Sequence, residues 1–283
     1  MKLSWLGPLL AVSLVSASAA TAGGSACDGL DKTQKELVAA VLSRVHPYDC
    51  CDRTLAECIK KKPSRLITRL REAVCRRVAA HQDRATIERA LDRRATSMLA
   101  TSKKYSIDLS HEVVAGDAQA KVTVVLYTCP RCPFCAREVL ELYRAVTTGA
   151  LKGKVRMYVR MYPLRSHPGS TEAAMAVMAA RQLGHYWGFL LDLYRNFDHF
   201  SVAGLPEQAK ASGMDIGRFR ELLSNSGLRK SLVESKKEGV RNGVDATPTL
   251  FVDGRKYLGD LDLNEVIDVL DEEFDRVTGK SCE

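Results

Sequence analysis

Residues 127 to 135 read YTCPRCPFC, placing cysteines at 129, 132 and 135 with a proline after each of the first two. Two thiols three positions apart can bond to each other when they open a helix, because residues at that spacing share a helix face. The unpaired amides and the dipole of the helix end then favour a thiolate on the first sulfur. The stretch PFCAREVLELYRAV continues with helical spacing through Val139, Leu142, Tyr143 and Val146. This puts Pro133 at the first helical position, where its missing N–H costs nothing. Cys132 is therefore the expected nucleophile and Cys135 the resolving thiol of a redox-active disulfide. Cys129-Pro130-Arg131-Cys132 has the same spacing but falls in the loop before the helix. It leaves Cys129 as a third thiol, either paired with a structural cysteine such as Cys282 or regulatory.

Other chemistries can be built on the same residues. C-x-x-C-x-x-C also begins an iron–sulfur run, but the fourth position, 139, is valine and no proline follows it. A zinc site would need a further ligand, for which His111 is the candidate. The expectation is no metal and no cofactor.

The compartment decides how cysteines are read. Lys2 precedes an apolar run from Leu3 to Val15 and a small-residue tract ending Ala20-Thr21-Ala22, the layout of a secretory signal over 1–22 with cleavage after Ala22. A second reading places a lipid on Cys27, and membrane contact is expected only in that case. Nine cysteines in an exported chain imply disulfides.

Stepping outward, charge divides the chain. Residues 23–110 carry 18 Lys and Arg against 11 Asp and Glu, whereas 111–283 carry 23 of each. A basic helical face of this kind is expected to be solvated, with contact to anionic lipid or an acidic partner as the lesser reading, and nucleic acid is not an expected partner. Residues 23–100 read as a small helical domain. ELVAAVLSRV (36–45) has Leu37, Val38, Val41, Leu42 and Val45 on one face. Ser64 caps a helix lined by Leu66, Ile67, Leu70, Val74 and Val78, and Asp83 caps another with Ile87 and Leu91 inward. A short helix restarts near Thr54 and stops before Pro63. Short helices bury little, so Cys50, Cys51, Cys58 and Cys75 read as structural cysteines. If the segments flanking Pro63 fold back antiparallel, Cys75 pairs with Cys50 or Cys51, and Cys58 takes the one left over.

After a linker and first strand region at 101–120, the pattern changes. KVTVVLY (121–127) is a continuous apolar, β-branched strand suited to a sheet centre. KVRMYVRMYPL (154–164) is a second strand, and a helical stretch follows from about 165 to 241. TPTLFVDGRKYLG (247–259) gives two short strands about Asp253-Gly254, and LNEVIDVLDEEFDRV closes the chain as a helix. The fold class is α/β, with a helical insertion and a small all-α domain in front.

VTVVLYTCPRCPFCARE together with GVDATPTLFVDG resembles the DsbA-like branch of the thioredoxin superfamily, over roughly His111 to Val277. The resemblance implies a thioredoxin fold at 121–283 with a helical insertion at about 165–241. It also implies a cis Thr247-Pro248 peptide against the active disulfide. Pro133, Phe134, Thr247 and Pro248 become active-site support for Cys132 and Cys135. The family's buried glutamate six residues before the nucleophile is replaced by Leu126, and its histidine between the cysteines by Phe134. Arg131 and Arg137 are the expected substitutes for the lost positive field. His167, His185 and His199 read as caps or surface residues, and Trp187, Phe189 and Phe200 as core rather than substrate groove. The N-terminal stretch from HPYDCCDRTLAEC to ERALDRRATSM faintly resembles the CcmH-like domain of cytochrome c maturation, with adjacent cysteines in place of C-x-x-C.

The expected function is that of an exported, periplasmic thiol–disulfide oxidoreductase acting on cysteine-containing exported proteins and served by a membrane or soluble redox partner. It is expected to be a net oxidant, with a potential in the upper half of the range from about −270 to about −120 mV. The alternatives are a reductase or isomerase, one serving cytochrome c maturation included, and a metal-binding or non-catalytic thioredoxin-fold module.

Overall fold

A computed structural model of the protein describes residues 24–283. The signal segment expected over 1–22 lies outside the described residues. No helix among those described is long and apolar enough to cross a membrane.

The first unit contains four helices, α1 (Lys32–Leu42), α2 (Leu55–Ile59), α3 (Arg65–Ala79) and α4 (Arg84–Met98). Their starts are set by side chains that accept hydrogen bonds from orphan backbone amides: Asp31 caps α1, Ser64 caps α3 and Asp83 caps α4. Leu66, Ile67, Leu70, Val74 and Val78 of α3 meet Ile87 and Leu91 of α4 in a core of their own, as their spacing predicts.

The second unit is a five-stranded sheet in the order β1-β3-β2-β4-β5. Its strands are β1 (Ala115–Gly116), β2 (Val122–Thr128), β3 (Val155–Met161), β4 (Thr249–Val252) and β5 (Arg255–Lys256). β2 and β3 run parallel, and the other pairs are antiparallel. The crossover from β2 to β3 is α5 (Pro133–Thr147). Between β3 and β4 the chain inserts α6 (Ser170–Gln182), α7 (Tyr186–Arg195), a single 3₁₀ turn at Phe197–His199, α8 (Leu205–Ala211), α9 (Ile216–Ser224) and α10 (Ser226–Arg241). The last helix is α11 (Leu263–Val277). Alternation along β2 sends Val122, Val124 and Leu126 into the larger core, while Val125 and Tyr127 face Tyr162, Val244 and Phe251 on the other side. Gly239 lets α10 close on that second face, since a Cβ there would lie 2.8 Å from the Tyr162 ring and 3.1 Å from that of Tyr127.

Three disulfides staple the molecule: Cys27–Cys75, Cys51–Cys58 and Cys50–Cys282. The expected pairing of Cys75 with Cys50 or Cys51 is thus overturned. Cys75 lies on the buried side of α3, where the segment before α1 packs, and Cys50 is reached by the C-terminal tail. Cys58 does pair with one of the vicinal cysteines, Cys51. With its sulfur bonded to Cys75, Cys27 has no thiol left to carry a lipid. Cys50 and Cys51 are both closed as well, so neither offers a thiol of the CcmH kind.

The basic helical face is not solvated as expected. Arg94, fully buried, reaches Glu265 at 3.2 Å and Asp268 at 3.1 Å and also binds Glu272, all on α11. Arg69 binds Asp271 and Asp275 at 2.7 Å each, Arg76 binds Asp268 at 2.9 Å, and Arg77 binds Asp260 at 2.7 Å. The cationic excess of the first unit therefore faces the acidic side of the last helix, with the Tyr48 hydroxyl donating to Glu272. Sequence separations near 200 residues kept this partner out of view.

Candidate active site

β2 delivers its C-terminal end to the cysteines, and the parallel neighbour β3 ends on the same sheet edge. Loops leaving such ends meet, which is where open α/β sheets build their sites. A turn closed by the Cys132 N–H on the Cys129 carbonyl, at 3.1 Å, leads into α5. Cys132 is the N-cap with extended backbone angles and Pro133 is the first helical residue, as expected. Cys135, one turn on, is fully buried, and Cys132 is 3 % exposed. Phe134 between them is 61 % exposed. The Thr247-Pro248 peptide is cis, and the Thr247 carbonyl lies 3.5 Å from the Cys132 sulfur. The segment before β4 is thereby laid against the thiol.

Cys129, Cys132 and Cys135 are the three free cysteines. The Cys132 thiol is pulled down to about 5, chiefly by the hydrogen bond from Cys135. Burial opposes that pull, while the backbone amides of Cys135 and Phe134 and the charge of His167 add to it. Burial pushes the Cys135 thiol far up, and its hydrogen bond to Cys132 pushes the same way. Two sulfurs one helical turn apart are thus split into a thiolate and a held thiol, the division of labour that exchange needs.

Cys129 does not pair with Cys282, whose sulfur is taken by Cys50. Its sulfur lies 3.3 Å from His167 Nδ1, and its amide donates to the Cys135 sulfur at 3.4 Å. Burial raises this thiol too. His167 is accordingly neither a cap nor a plain surface residue. Its position shortly beyond the end of β3 was the available signal, and 38 residues of separation hid it. Arg131 and Arg137, the expected sources of positive field, are engaged with aromatic rings, and the charge that pulls the Cys132 thiol down is that of His167. The Arg131 guanidinium stacks on Phe197 and Phe200 at 4.4 and 4.2 Å and donates to the Phe197 carbonyl, while Arg137 lies 5.9 Å from the Phe134 ring. Phe189 is buried core, and Phe200 and Trp187 are partly buried and pack against the same core as expected, with Phe200 also under Arg131 and Trp187 donating its indole N–H to the Val114 carbonyl. His111 lines a separate cavity with Asp108, Glu112 and Arg160.

One buried carboxyl escaped the sequence reading. Glu138 of α5 is 2 % exposed, has no partner on Oε1, and is pushed up to about 7 by burial.

A family model described as thioredoxin matches residues 108–272, more than half of the chain. The chain belongs to the thioredoxin family. Among solved structures, this thioredoxin-family chain is similar to a thioredoxin-like oxidoreductase from Silicibacter pomeroyi, with a TM-score of 0.50 and 25% identity over 58% of this chain and 92% of that one. It shares its fold with BdbD from Bacillus subtilis, at a TM-score of 0.52 and 19% identity over 61% of this chain and 98% of that one. It shares it likewise with alpha-DsbA1 from Wolbachia pipientis, at 0.53 and 19% over 62% and 96%. The C-terminal part thus shares the thioredoxin-like fold of these DsbA-like proteins. Curated relatives include the Na(+)/H(+) antiporter NhaA 1 of Mycolicibacterium gilvum, 30% identical over 58% of this chain. The chain spans only about a quarter of the length of those relatives, 27% in this case.

Proposed function

We propose that the protein is an exported, periplasmic thiol–disulfide oxidoreductase that oxidises cysteine pairs in exported proteins through Cys132 and Cys135. The observation that carries this reading is the split between the two thiols: Cys132, at the helix end, is pulled down to about 5, and buried Cys135 is pushed up. In the oxidised enzyme, a client thiolate attacks the Cys132 sulfur, the Cys132–Cys135 bond breaks, and Cys135 leaves and takes up a proton. A second client thiolate then attacks the client's own sulfur in the mixed disulfide and expels Cys132. Cys132 is the better leaving group because its thiolate is the stabilised one. The client loses two electrons, the enzyme gains them, and a membrane or soluble partner must remove them. Exposed Phe134 and the Thr247-Pro248 segment are the surfaces on which a client chain would lie. Sulfur chemistry of this kind calls for no cofactor.

Oxidative refolding of a reduced, disulfide-dependent protein tests the activity: Cys132→Ser should abolish it. Equilibration with glutathione tests the direction. A potential above about −195 mV, the midpoint between the reducing and oxidising ends of the superfamily, supports an oxidant. A value near about −270 mV would replace it with a reductase and leave the exchange chemistry standing.

A further inference from the structure

All nine cysteines lie among the described residues, and six are closed in disulfides. The exchange reading uses Cys132 and Cys135. Cys129 is left over, a third free thiol that the exchange does not use. It is not isolated: it shares one buried locus with both active cysteines and a histidine. The hydrogen bond from the Cys132 amide to the Cys129 carbonyl, at 3.1 Å, makes 129–132 a four-residue turn. Such a turn holds its end Cα atoms within about 7 Å. A disulfide spans about 4.4 to 6.8 Å between Cα atoms, so Cys129 and Cys132 are within bonding reach of one another. On the other side of the Cys129 sulfur, 3.3 Å away, is the His167 Nδ1, an atom that can accept the thiol's proton. The negative charge of Cys132 disfavours ionisation of Cys129, which is the electrostatic sign of two neighbouring sulfurs. Burial holds Cys129 as a thiol just as it holds Cys135. Cys129, unlike Cys135, has a base at its sulfur.

We propose that Cys129, with His167 as its proton acceptor, is a second resolving thiol for Cys132. The inference rests on the exchange reading above. When Cys132 carries a client as a mixed disulfide, the Cys129 proton passes to His167 Nδ1 and the Cys129 sulfur bonds to the Cys132 sulfur. The client–Cys132 bond breaks, and the client leaves as a thiolate. Two thiol electrons are supplied by Cys129 and the client's sulfur is reduced, so no outside oxidant or reductant is needed. Attack of Cys135 on Cys132 then regenerates the Cys132–Cys135 disulfide and returns the Cys129 thiol. The site works as a relay in which Cys132 bonds to either neighbour. A client that stalls on Cys132 thereby has two routes of release.

The test uses the full chain with Cys135→Ser, loaded at Cys132 by glutathione disulfide. Glutathione should then be released as Cys129 attacks, and trypsin should recover the peptides 122–131 and 132–137 joined through Cys129 and Cys132. Cutting after Lys121, Arg131 and Arg137 makes that link visible. Adding Cys129→Ser, or Cys129→Ala to guard against a folding effect of the hydroxyl, should slow release at least tenfold while loading proceeds at the same rate. His167→Gln in the Cys135→Ser chain should slow release by a larger factor than it slows loading, since the charge of His167 also favours the Cys132 thiolate that loads. Equal persistence of the adduct with and without Cys129, after normal loading, would overturn the proposal and leave Cys132 as the nucleophile. Failure of Cys132 to load in any variant would overturn the exchange reading itself, and this inference with it.

Discussion

Lowering the pH from 7 to 5 should selectively destabilise the reduced protein. In the folded dithiol, the Cys132 thiol is pulled down to about 5, against 9.0 for an unperturbed thiol. The folded value is the depressed one, so the stabilisation is fully present above the unfolded value and is lost as pH falls through the folded value. Between pH 7 and pH 5 the unfolded chain keeps its proton while the folded chain goes from essentially all thiolate to half. One proton over two pH units at about 1.36 kcal/mol per unit, less the half-titrated end, leaves roughly 2 kcal/mol of lost stability. The Cys132–Cys135 disulfide has no such thiol, so the oxidised protein is the internal control for every other titrating group. Urea unfolding of both redox forms at the two pH values measures the difference. The reduced form should lose about 2 kcal/mol relative to the oxidised form, and alkylation of Cys132 should show a midpoint near 5. A difference below about 0.5 kcal/mol, with an alkylation midpoint at the ordinary thiol value, would refute the helix-end and Cys135 hydrogen-bond argument.

Three further outcomes are expected. Because burial raises Glu138 from 4.5 to about 7, the unfolded chain binds fewer protons over that interval and stability falls with rising pH across it. Glu138→Gln should therefore gain about 1 to 3 kcal/mol at pH 8 and nothing at pH 4, and a uniform effect at both would sink the idea. Arg94→Met leaves Glu265, Asp268 and Glu272 facing one another without their shared cation, which should cost about 3 to 5 kcal/mol in urea unfolding; a loss under 1 kcal/mol would mean the cluster is not held by this residue. Cys282→Ser opens a loop with a sequence separation of 232 and should cost about 3 to 5 kcal/mol in urea unfolding; a loss under about 1 kcal/mol would show that the disulfide is not what holds the tail.

What could be read from the sequence was what depends on neighbours along the chain. The continuous apolar run of β2, the proline after Cys132, the caps Ser64 and Asp83 and the turn at Asp253-Gly254 each act within a few residues, and each forms as its spacing requires. The proposed nucleophile is legible for the same reason, since Cys135 and the amides of Phe134 and Cys135, which pull the Cys132 thiol down, lie in the first turn of its own helix. The disulfide partners of Cys75 and Cys50, the base beside Cys129 and the destination of the basic face are set by separations from 38 to more than 200 residues. No periodicity records those.

The ionic face also explains why the first unit carries arginine where a solvated helix could carry any cation. Arg69 reaches two carboxylates at 2.7 Å and Arg94 reaches three, geometries that a planar fork of donors satisfies and a point ammonium does not. All five lysines of residues 23–62 lie outside this cluster, and none of the described ion pairs of the first unit uses a lysine. Buried ion pairs of this sort contribute little net stability against the cost of desolvation, but a mismatched docking would strand several charges at once. The cluster therefore fixes the register of α3 and α4 on α11. Since α11 also packs on α5, whose first turn holds Cys132 and Cys135, the same contacts brace the helix that activates the thiol.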